Sequence, residues 1–275
     1  MTPNRSGVST TIVLCIFCNE MRPKADEDVL PLWLSRELNP TGRVITEFIT
    51  EMPGQPRISR FQPFANLATL KLERVCHVCN NGWMSELENR TQPFLIPMIR
   101  GSVVQLSAPA QRQIAAWTQL KCLTLDAFYP QTHDGIRHLP ERTAHAFCQT
   151  YQPLLSSTVT VGQFVPSAAN EKIRWGRYMS SLPATDVYAS LDVVVCTLAL
   201  GQLLIQVSIA ASGFEQPREA LHHLVRRYPM FDCWPTDRVQ TWPPPHAVAG
   251  DQFDDLAKAL VYVNKATEIA GPHQP

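Results

Sequence analysis

Hydrophobic and polar positions change rhythm several times along this chain, and those changes mark out its elements. Thr11 to Phe17 is a short apolar run that reads as a strand. After a polar turn, Pro31 precedes Leu32, Trp33, Leu34 and Leu38, which predicts a helix with proline in its first turn. Asn39-Pro40-Thr41-Gly42 is a strong stop for that helix. Residues 43 to 75 read as β structure: Arg43–Thr50 alternates, Met52-Pro53-Gly54 turns, and Leu67–Val75 alternates again. Trp83, Met84 and Leu87, with Arg90, fall on one helical face, and Pro93 and Pro97 are expected to end that helix.

Downstream, Ile114, Trp117, Leu120, Cys122, Leu125 and Phe128 predict a helix from Pro109 to Phe128, and Pro140 opens another reaching about Tyr151. Alternating runs at Ser157–Val165 and Ile173–Ser181 read as strands, and Asp192–Leu200 with Gln202–Ala210 as a hairpin around Gly201. A helix around Arg218–Arg227, the proline-rich stretch TWPPPHAVAG and a helix from about Asp251 to Ala270 complete the pattern. No internal repeat is visible. The break near Gly101 divides the chain into residues 1–100 and an α+β region, residues 101–275. Val193 to Ala211 is apolar enough to test as a membrane span, but Gly201-Gln202, Gln206 and Ser208 interrupt it, and its β-branched residues suit a hairpin better.

Composition narrows the class. Hydrophobic residues at 45% and charged residues at 17% suit a folded globular protein, and 23 prolines are too many for a helical bundle. With 24 basic against 24 acidic residues there is no bulk attraction for nucleic acid, so any such binding needs a local patch. The first twenty residues lack a small-residue cleavage site, and the expected location is the cytoplasm. In a reducing compartment, paired C-x-x-C turns mean metal sooner than disulfides.

Two such turns are present, Cys15-Ile16-Phe17-Cys18 and Cys76-His77-Val78-Cys79. Four thiolates satisfy tetrahedral zinc with bonds of about 2.3 Å, so these cysteines are the expected structural zinc ligands. Cys122, Cys148, Cys196 and Cys233 sit singly in apolar patterns and read as small core residues.

The segments C-I-F-C, E-D-V-L-P-L-W-L and C-H-V-C-N-N-G-W-M-S-E-L-E together resemble a bacterial and phage branch of the HNH endonuclease superfamily. The match covers about residues 13–100; the rest of the chain resembles the C-terminal part of those proteins much more weakly. The resemblance implies a zinc-stapled ββα-metal finger with a β insert, followed by a mixed α/β domain. It also implies hydrolysis of phosphodiester bonds, in which a divalent cation such as Mg²⁺ or Mn²⁺ grips the scissile phosphate and a histidine activates water.

Carried over position by position, Glu27 takes the acidic ligand place, Asp28 the place of the usual catalytic histidine, and Asn80 the final motif place. Asn81 or Asn66 is the candidate middle asparagine. Asp28 departs from the family pattern, because an ordinary carboxylate titrates near about 3.9 and is a poor base at neutral pH. Either Glu27 and Asp28 both face the metal and hydroxide comes from metal-bound water, or catalysis has been lost. His77 is a further candidate base; a solvent-facing turn residue is its simpler reading. Trp33, Trp83 and Met84 read as core packing. Arg57, Arg60, Lys71 and Arg74 read as a solvated strand face or a phosphate-contacting one. Asp254 and Asp255 read as the polar start of the last helix. Two functions follow as expectations: a metal-dependent endonuclease acting on nucleic acid, chiefly DNA, or a non-catalytic zinc module that binds nucleic acid or a protein partner. No membrane partner is expected.

Overall fold

A computed structural model describes residues 11–38, 44–50, 58–64, 70–132, 137–167, 173–182, 191–210 and 228–257. The first apolar run is shorter as a strand than its pattern predicts. β1 (Ile12–Leu14) ends where Cys15 begins a turn, and the chain returns antiparallel as β2 (Met21–Asp28). β2 is the middle strand of a three-stranded sheet, and its first residues, Met21 to Ala25, fall where the hydrophobic pattern predicts a polar turn after Cys18. Most of its side chains face solvent or partners of opposite charge, so it carries no apolar alternation; pairing with its neighbours makes it a strand.

The expected helix after Pro31 is α1 (Leu32–Leu38), which buries Leu34 and Leu38. A hairpin of β3 (Val44–Thr50) and β4 (Ile58–Phe64) follows, and then β5 (Lys71–Cys76), antiparallel to β2. The stop at residues 39–42, the turn at 52–54 and Asn66 lie outside the described residues.

Cys76 caps a short turn, α2 (His77–Cys79), and a π-helical turn over Asn80–Met84 leads into α3 (Ser85–Ile99). α3 runs straight through Pro93 and Pro97, which were expected to end it. Each proline removes one hydrogen bond to the carbonyl four residues back, on Asn89 and Pro93. Both of those residues are exposed, so water can take the freed carbonyls, while Leu87, Thr91, Leu95 and Met98 hold the opposite face in the core.

After β6 (Val104–Leu106) comes α4 (Ala108–Thr132), the central helix, buried on all sides from Ile114 to Phe128. Its buried hydroxyls bond its own backbone, as Thr118 does to the Ile114 carbonyl (2.8 Å), and its Gln119 amide donates to Ser157 Oγ (2.6 Å). α5 (Glu141–Thr150) ends at Tyr151, which has left-handed backbone. The large sheet contains β7 (Ser157–Val165), β8 (Ile173–Leu182), β9 (Leu191–Leu200), β10 (Leu203–Ala210) and β11 (Met230–Trp234), in the order β11-β7-β10-β9-β8. β12 (Gln240–Trp242) pairs with β6, and β13 (Ala247–Ala249) adds parallel to the end of β7. β6, β11, β12 and β13 are too short or too irregular to show a period, and none was expected. The predicted hairpin at Gly201 is present, and no helix among the described residues is long and apolar enough to cross a membrane.

β10 is buried along its whole length because both sheet faces are covered. Leu203, Ile205, Val207 and Ile209 join the core around α4, while Leu204 packs with Phe253 and Leu256 of α6 (Phe253–Ala257). The helix expected near 218–227 and the rest of the last helix lie outside the described residues. One continuous apolar core runs from Cys15 and Phe17 through α4 to Ile209 and Trp242, crossing Gly101. Gly201 shows how closely the halves meet: it has φ +57°, and a Cβ there would lie 2.6 Å from the Ile99 carbonyl oxygen. Only glycine fits. The chain is thus α+β, with few helices and several sheets.

Candidate metal centre

The two C-x-x-C turns are built by backbone bonds that aim their sulfurs inward. In the first, Asn19 takes left-handed backbone (φ 57°) and its N–H bonds the Cys15 carbonyl at 2.9 Å, a conformation asparagine tolerates better than most residues. In the second, the Cys79 N–H donates to Cys76 Sγ at 3.4 Å. The turns are also tied to each other: the Cys76 N–H donates to Cys15 Sγ (3.4 Å), and the Ile16 N–H donates to the Arg74 carbonyl (3.0 Å).

The Sγ atoms of Cys15, Cys18, Cys76 and Cys79 all lie within 4.8 Å of one another, with Cys18 and Cys76 3.7 Å apart. Tetrahedral zinc–thiolate geometry with bonds of about 2.3 Å separates sulfurs by about 3.8 Å, so this donor set can hold a metal ion such as zinc. Among the described residues it is the one cluster of three or more histidine, cysteine or acidic ligands. A hydrogen bond from Cys79 draws the Cys15 thiol down to about 4, with burial opposing and the Cys18, Cys76 and Phe17 backbone assisting. Burial pushes Cys18 up to about 11. Sulfurs this close cannot all ionise alone, and a central dication removes that conflict.

A fifth sulfur touches the cluster. Cys148 of α5 is hydrogen-bonded to Cys79, lowering its own pKa and raising that of Cys79. Sequence reasoning took Cys148 for an ordinary core residue; the only signal was its place on the α5 stripe with Ala144, Phe147 and Tyr151. Aromatic rings close the surroundings: Trp83 meets Phe17 edge-on at 5.4 Å and stacks on Tyr151 at 5.0 Å. Trp33 lies 6.3 Å from Trp117.

The acidic strand end is organised around a lysine. Lys121 is fully buried on α4, and its three ammonium protons meet three acceptors: Glu88 Oε1 at 2.5 Å, Glu27 Oε1 at 3.3 Å and the Asp28 carbonyl at 3.4 Å. Burial works against its charge, but Glu88 and Glu27 outweigh burial and raise its pKa. Burial also pushes the Glu27 carboxyl up to about 7; Lys121 opposes this and Glu88 reinforces it. Glu27 retains affinity for a proton chiefly because it is buried, and the single ammonium, bonded more closely to Glu88, offsets that burial only in part. The Asp28 carboxylate points elsewhere and pairs with Lys71.

Lys121 was missed by sequence reasoning although it was legible. It lies seven residues after Ile114, four after Trp117 and seven before Phe128, so it occupies a core position of the helical stripe. Asn80 is half-buried in the π-helical turn and makes no side-chain hydrogen bond among the described residues. Asn81 is exposed, and its amide meets His77 Nε2 at 2.6 Å. Arg74 pairs with Glu141, His145 Nδ1 contacts the Phe17 carbonyl, and Asp254 pairs with Arg174. Arg57 lies outside the described residues, and the side chain of Arg60 is not described.

Compared with known proteins, the chain matches no family model, no curated protein and no solved structure.

Proposed function

We propose that the chain is a zinc-stapled, HNH-like module that binds nucleic acid, with its acidic strand end serving architecture in place of hydrolysis. The zinc ion organises the two cysteine turns, which fix β2, β5 and α3 about each other. The observation that carries the non-hydrolytic part is the Lys121 ammonium, whose bonds to Glu27, Glu88 and the Asp28 carbonyl supply locally the positive charge that a divalent cation would bring. Asp28 is engaged with Lys71 as well. Nucleic acid as partner follows from the resemblance of residues 13–100 to the HNH superfamily.

A second reading, a metal-dependent endonuclease using Glu27, Asp28, Asn80 and Asn81 with Mg²⁺ or Mn²⁺, is favoured by one observation. Glu27 sits near about 7, where a carboxyl can exchange a proton at neutral pH. The two readings separate in one experiment. Plasmid and single-stranded DNA are incubated with the zinc-loaded protein and magnesium, manganese or nickel, beside an E27A/D28A double variant. Binding without cleavage supports the first reading. Cleavage by the wild type that the double variant lacks establishes the second.

A further inference from the structure

Of the ten exposed or half-exposed arginines whose side chains are described, five hold a carboxylate, Arg137 among them, and Arg36, Arg142 and Arg238 stand apart from the cleft that Arg90 and Arg112 line. Arg22 pairs with Glu20, Arg74 with Glu141, Arg100 with Glu37 and Arg174 with Asp254. Arg90 on α3 and Arg112 on α4 hold none among the described residues, and both line one cleft of about 150 Å³. Its other walls include Tyr151, Gln113, Gln152 and the buried side of Leu87. Glu86 is the carboxylate near Tyr151, so the two guanidinium groups leave this edge net positive. Arg112 and Gln113 stand in the opening turns of the 25-residue α4, whose dipole adds to that sign without being needed for it.

We infer that this cleft is a phosphate-binding subsite, in which the Arg90 and Arg112 guanidinium groups grip the oxygens of a nucleic-acid phosphate and the glutamine amides and the Tyr151 hydroxyl complete the shell. This rests on the nucleic-acid reading for the source of the phosphate, though not for the cleft's affinity for the group itself. Guanidinium forks suit phosphate because they offer paired, permanently charged donors. α3 continues directly from the second cysteine turn, and Tyr151 is stacked on Trp83. The metal centre therefore fixes both the helix that carries Arg90 and the ring that walls the cleft.

The test uses the full zinc-loaded chain, R90A/R112A and R90K/R112K, each checked for equal zinc content. Binding of a fluorescent single-stranded oligonucleotide and of a duplex is read by anisotropy over a series of salt concentrations. The expected result is a loss of about tenfold or more in R90A/R112A, partial retention in R90K/R112K, and a salt slope smaller by about two in the alanine variant. Oligonucleotide binding by R90A/R112A equal to wild type overturns the proposal and leaves the nucleic-acid reading standing. Inorganic phosphate and a mononucleotide, titrated with ³¹P NMR, separate the two ideas. If wild type binds no oligonucleotide yet broadens the phosphate line, and R90A/R112A does not, the subsite stands and the nucleic-acid reading fails. If neither phosphate nor oligonucleotide binds wild type, the subsite is overturned.

Discussion

The cysteine-turn region and the large sheet are held together by different physics. β10 rests mainly on apolar packing: its residues are buried on both faces, between the core around α4 and the cluster around Phe253, and its one buried side-chain amide, Gln206, is bonded to Thr197 and to the Leu256 carbonyl. β2 is a polar strand in a three-stranded sheet, fixed by backbone pairing, by sulfurs gathered within 4.8 Å and by a lysine bonding two carboxylates. A strand that buries little apolar surface gains little from the hydrophobic effect, so its order must come from directional bonds and, we propose, from an ion. The two regions should therefore fail differently.

Metal removal gives the largest contrast. Structural zinc contributes about 10–16 kcal/mol in small zinc modules, comparable to or above a whole domain's typical stability of about 5–15 kcal/mol. Chelation, or Cys76→Ser, should abolish amide protection in β1, β2 and β5, while β9 and β10 keep most of theirs in hydrogen exchange. Equal loss in both regions would mean that they do not differ in this way.

Lys121→Met comes next. It leaves the buried Glu27 and the half-buried Glu88 without their cation, and a loss of about 3–5 kcal/mol is expected in denaturant unfolding. Adding E27Q and E88Q should restore most of it; no restoration would show that the lysine acts through packing alone. In the other region, Ile205→Ala should remove about 2–5 kcal/mol while leaving zinc stoichiometry unchanged. Zinc loss in that variant would show the halves to be one cooperative unit.

The smallest effect is on pH. The folded chain holds the Glu27 proton more tightly than the unfolded chain, whose ordinary value is 4.5, so stability from this group is full below 4.5 and fades as pH rises through about 7. Between about pH 6 and about pH 8 the loss amounts to about 1.4 kcal/mol, and Glu27→Gln should flatten that slope in unfolding midpoints. A wild-type slope unchanged by E27Q would remove Glu27 as the source.

The sheet half was the more legible, for the reason that makes it stable. β7, β8, β9 and β10 announce themselves by apolar and β-branched residues between turn signals. β2 was unreadable because its order comes from neighbours distant in sequence, and α3 outran its two prolines because the carbonyls they strand lie at exposed residues. The four cysteines were readable from spacing alone. Lys121 could have been found as a charge on a core stripe, whereas the contact of Cys148 with Cys79 is set by the docking of α5, which no local pattern reports.

That Cys15, Cys18, Cys76 and Cys79 clasp a single ion is most directly tested by native mass spectrometry followed by cobalt replacement. One zinc per chain is predicted, and the cobalt form should show sulfur-to-metal charge-transfer bands and the visible spectrum of a tetrahedral tetrathiolate, both diminished in Cys15→Ser. A chain that is folded in β1, β2 and β5 without metal, or a cobalt spectrum lacking sulfur ligation, would contradict it.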